Sequence, residues 1–254
     1  MPPTSPLLER LPTRIAAATV GPHRYLTLPH LIRLFQEAAL RNTDRLAISS
    51  GQLTDEHGLT WVLHRQLIEA DAWPAIGEAV VVTTLPTSID RRLITYRDFY
   101  LTRPDGHPLI RSTSAWSLMD VHSRRIRPIP DAVRARLGEL PAATDHLPRP
   151  GDKPEPAAAD APARRFTVDF HHLDFNNHLT NPAFPELMLE PLGGEFLSTH
   201  LPRRADIAYQ REARYGDALL ARAAPAGPEA YTHALQREDG NQLATMRTEW
   251  HSLL

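Results

Sequence analysis

Apolar residues recur at helical spacing in two stretches of the chain. In the second stretch, Phe184, Leu187 and Met188 fall on one face of a helix. In the first stretch the face is formed by Leu28, Leu31, Ile32, Phe35, Ala38 and Ala39. Both stretches begin near a Thr and a Pro, which suit a helix cap and a first helical turn. The pattern predicts one helix in each half of the chain.

Strand-like sequence follows each predicted helix, at 60–84 and at 205–224. Each run is interrupted by a Gly-acid turn. Further along, Asp105-Gly106 and Asp239-Gly240 each precede a Leu and a Trp at identical spacing. Because Asp-Gly between strand-like runs indicates a hairpin, both halves are expected to end in a hairpin with a buried Trp, at Trp116 and Trp250.

The order of helix and then antiparallel strands occurs twice, which indicates an internal duplication rather than two unrelated domains. One long helix followed by an antiparallel meander is typical of a curved sheet wrapped around that helix, the hot-dog pattern. We therefore predict an α+β tandem (double) hot-dog fold. Its expected parts are a first module at 1–140, a Pro- and Ala-rich linker at 141–163 and a second module at 164–254.

Composition narrows the chemistry. The chain of 254 residues contains no Cys, which excludes disulfides, thiolate metal sites and cysteine nucleophiles. A formal net charge of -2 argues against a general nucleic-acid binder. No apolar run reaches the roughly 20 residues of a membrane span, and the first residues do not resemble a signal peptide. A cytoplasmic protein is expected.

Candidate chemistry lies just before the second helix. Asp174, Asn176 and His178 alternate, so in extended backbone their side chains would converge on one pocket. The adjacent helix N-terminus would supply N–H groups for a developing oxyanion. Two alternatives remain at this point: the three residues cap turns for local reasons, or Asp174 and His178 bind a metal together with His171 and His172.

These residues resemble the acyl-acyl-carrier-protein (acyl-ACP) thioesterases of plant plastids and bacteria. The Asp-x-Asn-x-His motif of that family is similar to Asp174–His178, followed by Asn181 and Phe184, and its Tyr-x-x-Glu element is similar to Tyr209 to Glu212. In the first half, the resemblance extends over Gln36 to Ala39, Trp61 to Arg65, Arg97 and Phe99. Two departures are Thr180, where the family has Asn, and Ala213, where plant members often have Cys. Ala213 rules out a Cys-His mechanism.

The resemblance implies a thioesterase that hydrolyses fatty acyl-ACP, with acyl carrier protein as its partner, an acyl chain held by the first module and catalysis by the second. It implies catalytic roles for Asp174, Asn176, His178 and Glu212. It implies substrate contacts for Asn181, Phe184, Trp61 and Arg97. No metal or other cofactor is expected. Gly21 and Trp73 are expected at the positions in the first module that Asp174 and Glu212 occupy in the second.

In the mechanism that we expect, His178 and Glu212 activate water, and Asn176 positions the water or the thioester carbonyl. Asp174 either orients this network or attacks the thioester itself. An acidic carrier protein would be attracted by surface arginines, for which the candidates are Arg91, Arg92, Arg124, Arg125, Arg127, Arg203 and Arg204. Three other functions stay open: a thioesterase for coenzyme A esters, a non-catalytic acyl-binding module and a hot-dog dehydratase. An oligomer is also possible.

Overall fold

The computed structural model describes residue 5 and residues 7–253. Five α-helices lie in this part of the chain: α1 (Leu28–Arg45), α2 (Ser50–His57), α3 (Asp131–Leu137), α4 (Ala183–Leu189) and α5 (Gly194–Thr199). The strands of the first half are β1 (Glu9–Arg14), β2 (Leu59–Ala70), β3 (Ala79–Asp90), β4 (Ile94–Thr102), β5 (Pro108–Asp120) and β6 (Ile126–Arg127). Those of the second half are β7 (Ala163–Thr167), β8 (His200–Tyr209), β9 (Ala218–Pro225), β10 (Ala230–Arg237) and β11 (Gln242–Ser252).

The strands form one continuous antiparallel sheet in the order β1-β3-β4-β5-β2-β8-β11-β10-β9-β7, with β6 paired to β5. The order is symmetric about the junction between β2 and β8. Reading outward from that junction, β5, β4, β3 and β1 on one side correspond to β11, β10, β9 and β7 on the other. The repeat inferred from the sequence is thus a repeat of topology, and the double hot-dog prediction is confirmed.

A buried ion pair lies at the junction of the two halves. Arg65 on β2 donates to both carboxylate oxygens of Asp206 on β8, at 2.6 and 2.9 Å. The same guanidinium donates to the backbone oxygen of Asp152, at 2.5 Å. Because both side chains are almost fully buried, these hydrogen bonds compensate for the loss of their hydration. The junction is therefore fixed in register as well as packed.

The two central helices differ. Helix α1 has 18 residues and packs its apolar face on the sheet, with Phe35 stacked on Phe99 at 4.8 Å between ring centroids. Its counterpart α4 has only 7 residues. A 3-10 turn at Glu190–Leu192 follows, and Gly193 with a φ of 84° then leads into α5. Pro191 has no N–H for a continued helix. The expectation of a long helix in each module is therefore wrong for the second.

The segment predicted as a linker packs against the outer face of the sheet. Asp98 is completely buried there, and it accepts hydrogen bonds from the Leu147 amide at 2.8 Å and from Arg149 at 3.1 Å. Arg149 also lies over the ring of Tyr96, at 4.4 Å from its centroid. These contacts hold 141–163 as an ordered strap. The division of the chain into an acyl-holding and a catalytic module stays a prediction.

Within the described ranges, no helix combines the length and the apolar character that a membrane crossing requires.

Candidate active site

Asp174 organises a tight turn ahead of α4. One carboxylate oxygen, Oδ1, accepts hydrogen bonds from the backbone amides of Asn176, at 2.8 Å, and His178, at 3.2 Å. The backbone closes the turn through the Asp174 amide, which donates to the His178 oxygen at 2.8 Å. Asn177 adopts a left-handed φ of 61°, a conformation that Asn tolerates better than most residues. The three predicted residues are therefore brought together by a turn, and the expectation of extended, alternating backbone is wrong.

Glu212 lies beside this turn. Its Oε2 is 3.4 Å from Nε2 of His178. The position of Glu212 is set by hydrogen bonds to the backbone of its segment. The Leu179 amide donates to the backbone oxygen of Ala213 at 2.8 Å, and the guanidinium of Arg237 donates to the backbone oxygen of Glu212 at 2.8 Å. The segment that carries Glu212 is thereby tied to the residue that follows His178. A carboxylate and an imidazole at this separation can share a proton once small movements bring them together.

Two arginines surround the Glu212 carboxylate. Arg214 approaches Oε1 to 3.3 Å, and Arg124 contacts Oε2. Arg124 belongs to the turn between β5 and β6, so the first module contributes a charged group to the predicted catalytic carboxylate of the second. From the sequence, Arg124 is expected only as a surface cation. Its contact with Glu212 depends on how the modules pack, for which the sequence contains no signal.

The first module has an equivalent turn without the chemistry. The Gly21 amide donates to the Tyr25 oxygen at 3.1 Å, as the Asp174 amide does to His178, and the Leu26 amide donates to the Pro74 oxygen at 3.0 Å, as Leu179 does to Ala213. Gly21 is therefore equivalent to Asp174, and Trp73, which precedes Pro74, is equivalent to Glu212. Both predicted equivalences are confirmed. The two halves share these backbone hydrogen bonds and differ in the side chains at the equivalent positions.

A cavity of about 690 Å³ opens beside the Asp174 turn and extends into the first module. Asp174, Phe175 and Asn176 line it at one side, together with Thr180 and Asn181. The opposite wall consists of residues of α1 and of strands in the first module, among them Gln36, Ala39, Leu40, Thr43, Trp61, Thr95, Arg97 and Trp116. The cavity thus connects the candidate catalytic turn with the interior of the other module.

Most of the predicted site residues meet at this cavity. Asp174, Asn176, Asn181, Trp61 and Arg97 line it, while His178 and Glu212 lie next to it without contributing to its wall. Phe184 lies elsewhere: it is buried in the core of the second module, with its ring edge-to-face against Tyr209 at 5.3 Å. The position of Phe184 therefore favours a packing role over substrate contact. The catalytic and binding roles of all these residues stay predictions.

Of the two Trp residues that were predicted to be buried, one differs from expectation. Trp250 is buried, as predicted, and its indole N–H donates to Thr248 at 2.7 Å. Trp116 is only half-buried, because it faces the cavity. Trp116 is therefore a cavity residue that the sequence does not indicate. The repeat made the two Trp positions look alike, and only the cavity distinguishes them.

The N-terminus of α4 offers little for an oxyanion. The Ala183 amide already donates to the Thr180 oxygen at 2.9 Å, and Pro185 has no N–H. The Glu186 amide is bonded to the Pro182 oxygen at 3.3 Å. The expectation that this helix end supplies several free donors is wrong, so polar side chains at the cavity, Asn176 foremost, are the better candidates to polarise a carbonyl.

The histidines near Asp174 do not form a set of metal ligands with it. His172 accepts a hydrogen bond from the Asp169 amide at 3.0 Å, and His171 has its ring edge against Phe170. Across residues 7–253 and residue 5, no group of three or more His, Asp and Glu side chains converges as metal ligands would.

Comparison with known proteins gives the same two-part organisation. Residues 13–137 match the family described as acyl-ACP thioesterase N-terminal domain, and residues 156–252 match the acyl-ACP thioesterase C-terminal domain. The chain belongs to the acyl-ACP thioesterase family. Together the two family domains cover most of the sequence, and residues 138–155, which lie between the two matches, fall largely within the strap on the outer face of the sheet.

Two curated plant proteins illustrate the relationship within the acyl-ACP thioesterase family. Acyl-(acyl-carrier-protein) hydrolase FATB3, chloroplastic, of Cuphea viscosissima is 28% identical over 93% of this chain, which spans only 60% of that protein. Dodecanoyl-(acyl-carrier-protein) hydrolase, chloroplastic, of Cinnamomum camphora is 27% identical over 98% of this chain and 69% of its own length. The cytoplasmic location stays a prediction.

Solved structures of the same family share the fold. An acyl-ACP thioesterase from Bacteroides thetaiotaomicron superimposes with a TM-score of 0.85 at 19% identity, over 96% of this chain and 98% of that chain. The 12:0-ACP thioesterase from Umbellularia californica gives a TM-score of 0.84 at 22% identity, over 98% and 99%. The tandem arrangement seen here is therefore that of the acyl-ACP thioesterases.

Proposed function

We propose that this protein hydrolyses fatty acyl-ACP thioesters to a free fatty acid and the carrier thiol, as a step of fatty acid synthesis. The observation that carries the proposal is the cavity that joins the Asp174 turn to the interior of the first module. Its volume of about 690 Å³ lies within the ordinary range for a pocket that encloses a small ligand. The side at the Asp174 turn offers polar groups for a thioester. The side in the first module offers apolar surface for an acyl chain, at Leu40, Ile48, Trp61 and Trp116, beside polar residues such as Thr95 and Arg97.

The pair of His178 and Glu212 is suited to activate water. In the proposed reaction, water attacks the thioester carbon and transfers a proton to the imidazole, which Glu212 stabilises in its charged form. The tetrahedral intermediate then expels the thiolate as the C–S bond breaks. The proton returns from His178 to the sulfur, and the side-chain amide of Asn176 donates to the carbonyl oxygen throughout.

The hydrogen bonds of Asp174 favour an orienting role for its carboxylate. Oδ1 already accepts from two backbone amides. These donors stabilise the negative charge and therefore make the oxygen a weaker nucleophile. Single-turnover hydrolysis in oxygen-18 water tests for attack by Asp174, because the label enters its side chain only if an anhydride forms and water then attacks the aspartyl carbonyl. We expect unlabelled Asp174, and label in its side chain would establish the anhydride route.

The surface around the site is suited to an acidic carrier protein. Arg91 and Arg92 lie in the turn between β3 and β4, and Arg124 and Arg125 lie in the turn between β5 and β6. Both turns lie at the same end of neighbouring strands, and Arg124 reaches Glu212 there. Among the described residues, Arg91 and Arg125 have no carboxylate partner. Their charge is available to a partner.

A thiol-release assay tests the proposal. Acyl-ACP and acyl-coenzyme A esters from about C8 to C18 would be compared, a range over which each buried methylene contributes about 0.8 kcal/mol. We expect a higher kcat/KM for the carrier-protein esters. Equal or better use of coenzyme A esters would favour an acyl-coenzyme A thioesterase, and acyl thioester that stays bound and intact would favour a binding module. Loss of water from hydroxyacyl chains without thiol release would indicate a dehydratase.

A further inference from the structure

The wall of the cavity contains a buried cation. Arg97 on β4 is 6% exposed and lines the cavity. Its guanidinium donates to the Thr84 hydroxyl at 3.2 Å, and no carboxylate lies within ion-pair distance of it in the described part of the chain. Glu9 attracts it only from a distance and is itself paired with Arg45 at 2.8 Å. Burial lowers the pKa of Arg97 to about 10, so the group is charged at neutral pH.

An unpaired hydroxyl lies next to this cation. Thr95 is two residues before Arg97 on the same strand, so both side chains project to the helix-facing side of the sheet, as Phe99 does. The Thr95 hydroxyl is buried, lines the cavity and has no hydrogen-bond partner among the described residues. A buried hydroxyl and a buried guanidinium with one neutral partner are both under-satisfied.

Apolar side chains lie beside these two groups in the cavity wall. Trp61 and Trp116 line the same cavity, and Trp116 is directly opposite Thr95 on the neighbouring strand. Farther along β4 the same face carries Phe99 and Leu101, which are core residues. A saturated chain in the cavity would exclude water from Arg97 and Thr95 and offer them no acceptor, which is unfavourable.

We propose that the cavity selects acyl chains that carry an oxygen function, namely a hydroxyl, keto or carboxylate oxygen that accepts a hydrogen bond from Arg97 and pairs with Thr95. This inference rests on the proposed thioesterase function and specifies its substrate class. The shared chemistry is an acceptor oxygen within an otherwise apolar chain. The experiment below determines at which carbon of the acyl chain this oxygen lies.

The test compares matched substrates of equal length. Hydrolysis of dodecanoyl-ACP is measured beside 3-hydroxydodecanoyl-, 3-oxododecanoyl-, 12-hydroxydodecanoyl- and 11-carboxyundecanoyl-ACP. We expect kcat/KM for at least one oxygenated substrate to exceed that for dodecanoyl-ACP by about 10- to 100-fold, the range for one hydrogen bond to a buried charged group. Dodecanoyl-ACP equal to or better than all four would overturn the inference.

Two variants connect the preference to these residues. Arg97→Met and Thr95→Val remove the polar atoms while keeping most of the side-chain volume, and each is expected to reduce the ratio of oxygenated to plain substrate. Thr245→Val is the matched control, because Thr245 also has a buried unpaired hydroxyl but does not line the cavity. A ratio unchanged in Thr95→Val and Arg97→Met would count against the proposal. If Arg97→Met does not fold, Thr95→Val decides.

A binding measurement separates this inference from the function on which it rests. Calorimetric titration with dodecanoate and with 3-hydroxydodecanoate, 12-hydroxydodecanoate and dodecanedioate requires no hydrolysis. Tighter binding of an oxygenated acid without turnover of any ester would support the inference and contradict the thioesterase proposal. Turnover of dodecanoyl-ACP with no preference in either assay would support the thioesterase proposal and overturn the inference.

Discussion

The Nε2 atom of His178 lies 3.4 Å from an Oε2 atom of Glu212, although the two residues come from separate segments of the second module. The turn closed by Asp174 fixes the first residue, and the hydrogen bond from Leu179 to Ala213 fixes the segment of the second. The pair is the part of the proposed mechanism that the geometry supports most directly, because a base needs both a proton acceptor and a group that stabilises it once protonated.

Replacement of either member should slow turnover. For His178→Ala and for Glu212→Ala we expect kcat for acyl-ACP hydrolysis to fall by about 10²- to 10⁴-fold, the usual contribution of a general base. Single-turnover thiol release measures the effect without interference from product release. His171→Ala is the control, since His171 is exposed in the same region and its ring contacts Phe170. Near-normal turnover in both variants would refute the assignment.

Arg124 should act on catalysis through Glu212. In Arg124→Met the carboxylate loses a cation that holds it beside His178, so it gains freedom to adopt other rotamers. We expect kcat to decrease by roughly tenfold and the KM to change less. Arg125→Met, at the adjacent position of the same turn, is the matched control for the kcat effect. Equal loss of kcat in the two variants would show that the turn, rather than the contact with Glu212, matters.

Charge reversal should weaken carrier-protein recognition. Arg91→Glu combined with Arg125→Glu removes two cations that have no carboxylate partner among the described residues, and it introduces repulsion toward an acidic partner. We expect the KM for acyl-ACP to rise severalfold and to become less sensitive to salt, with kcat retained. Arg165→Glu is a control at a distant exposed arginine. A KM that moves as much in the control would argue against a docking surface at these turns.

The buried pair of Arg65 and Asp206 should dominate the stability of the junction. Asp206→Leu leaves an uncompensated buried guanidinium, for which the expected loss in free energy of unfolding is about 3–5 kcal/mol. Adding Arg65→Met should recover part of that loss, because the remaining charge is removed. Urea unfolding of the wild type, Asp206→Leu and the double variant measures this. Glu238→Leu breaks an exposed pair with Arg165 and should cost less than about 1 kcal/mol.

His233 should make stability depend on pH. It donates from Nδ1 to the Met188 oxygen at 2.9 Å and accepts from the Thr248 hydroxyl at 2.8 Å, so it is held neutral. Burial lowers the pKa of His233 from 6.5 to about 4. As pH falls from about 6.5 to about 4, the unfolded chain binds a proton that the folded chain does not, so stability decreases.

The decrease in the free energy of unfolding that is due to His233 should reach up to about 3 kcal/mol near pH 4. Urea unfolding at several pH values tests it, with His233→Gln to remove the titrating group and His107→Gln as an exposed control. All other titratable groups are present in wild type and in His233→Gln. The effect of His233 is therefore the difference between the two proteins in how the free energy of unfolding changes with pH. The same dependence in His233→Gln and in wild type would contradict the assignment.

Much of the fold could be predicted from local sequence. Apolar spacing located α1, and the Asp-Gly pairs located the hairpins, because both signals arise within a few residues. The second helix was predicted too long, because the repeat made it look equivalent to α1, whereas Pro191 and the glycines after it break the helix. The strap was predicted as a plain linker, because its contacts with Asp98 and Tyr96 depend on distant residues.

The candidate site was predicted in part. The motif from Asp174 to His178 and the Tyr-x-x-Glu element pointed to residues that the fold brings together. The reason given for their convergence was wrong, because a turn rather than a strand aligns them. Arg124, Thr95 and Trp116 carried no local signal, since their meaning comes from neighbours on other strands and from the other module.

The two halves of the sheet join through β2 and β8 and belong to one polypeptide, so the turn at Gly21 and the turn at Asp174 lie in the same chain. A dimer of two identical subunits would present the same residues at both turns, so any change that improved one as a reaction centre would alter the other equally. Covalent fusion removes that restriction. The turn at Asp174 can then keep its carboxylate, amide and imidazole, while the equivalent positions in the first module carry Gly21 and Trp73. The space between the two turns can then hold a single bound acyl chain.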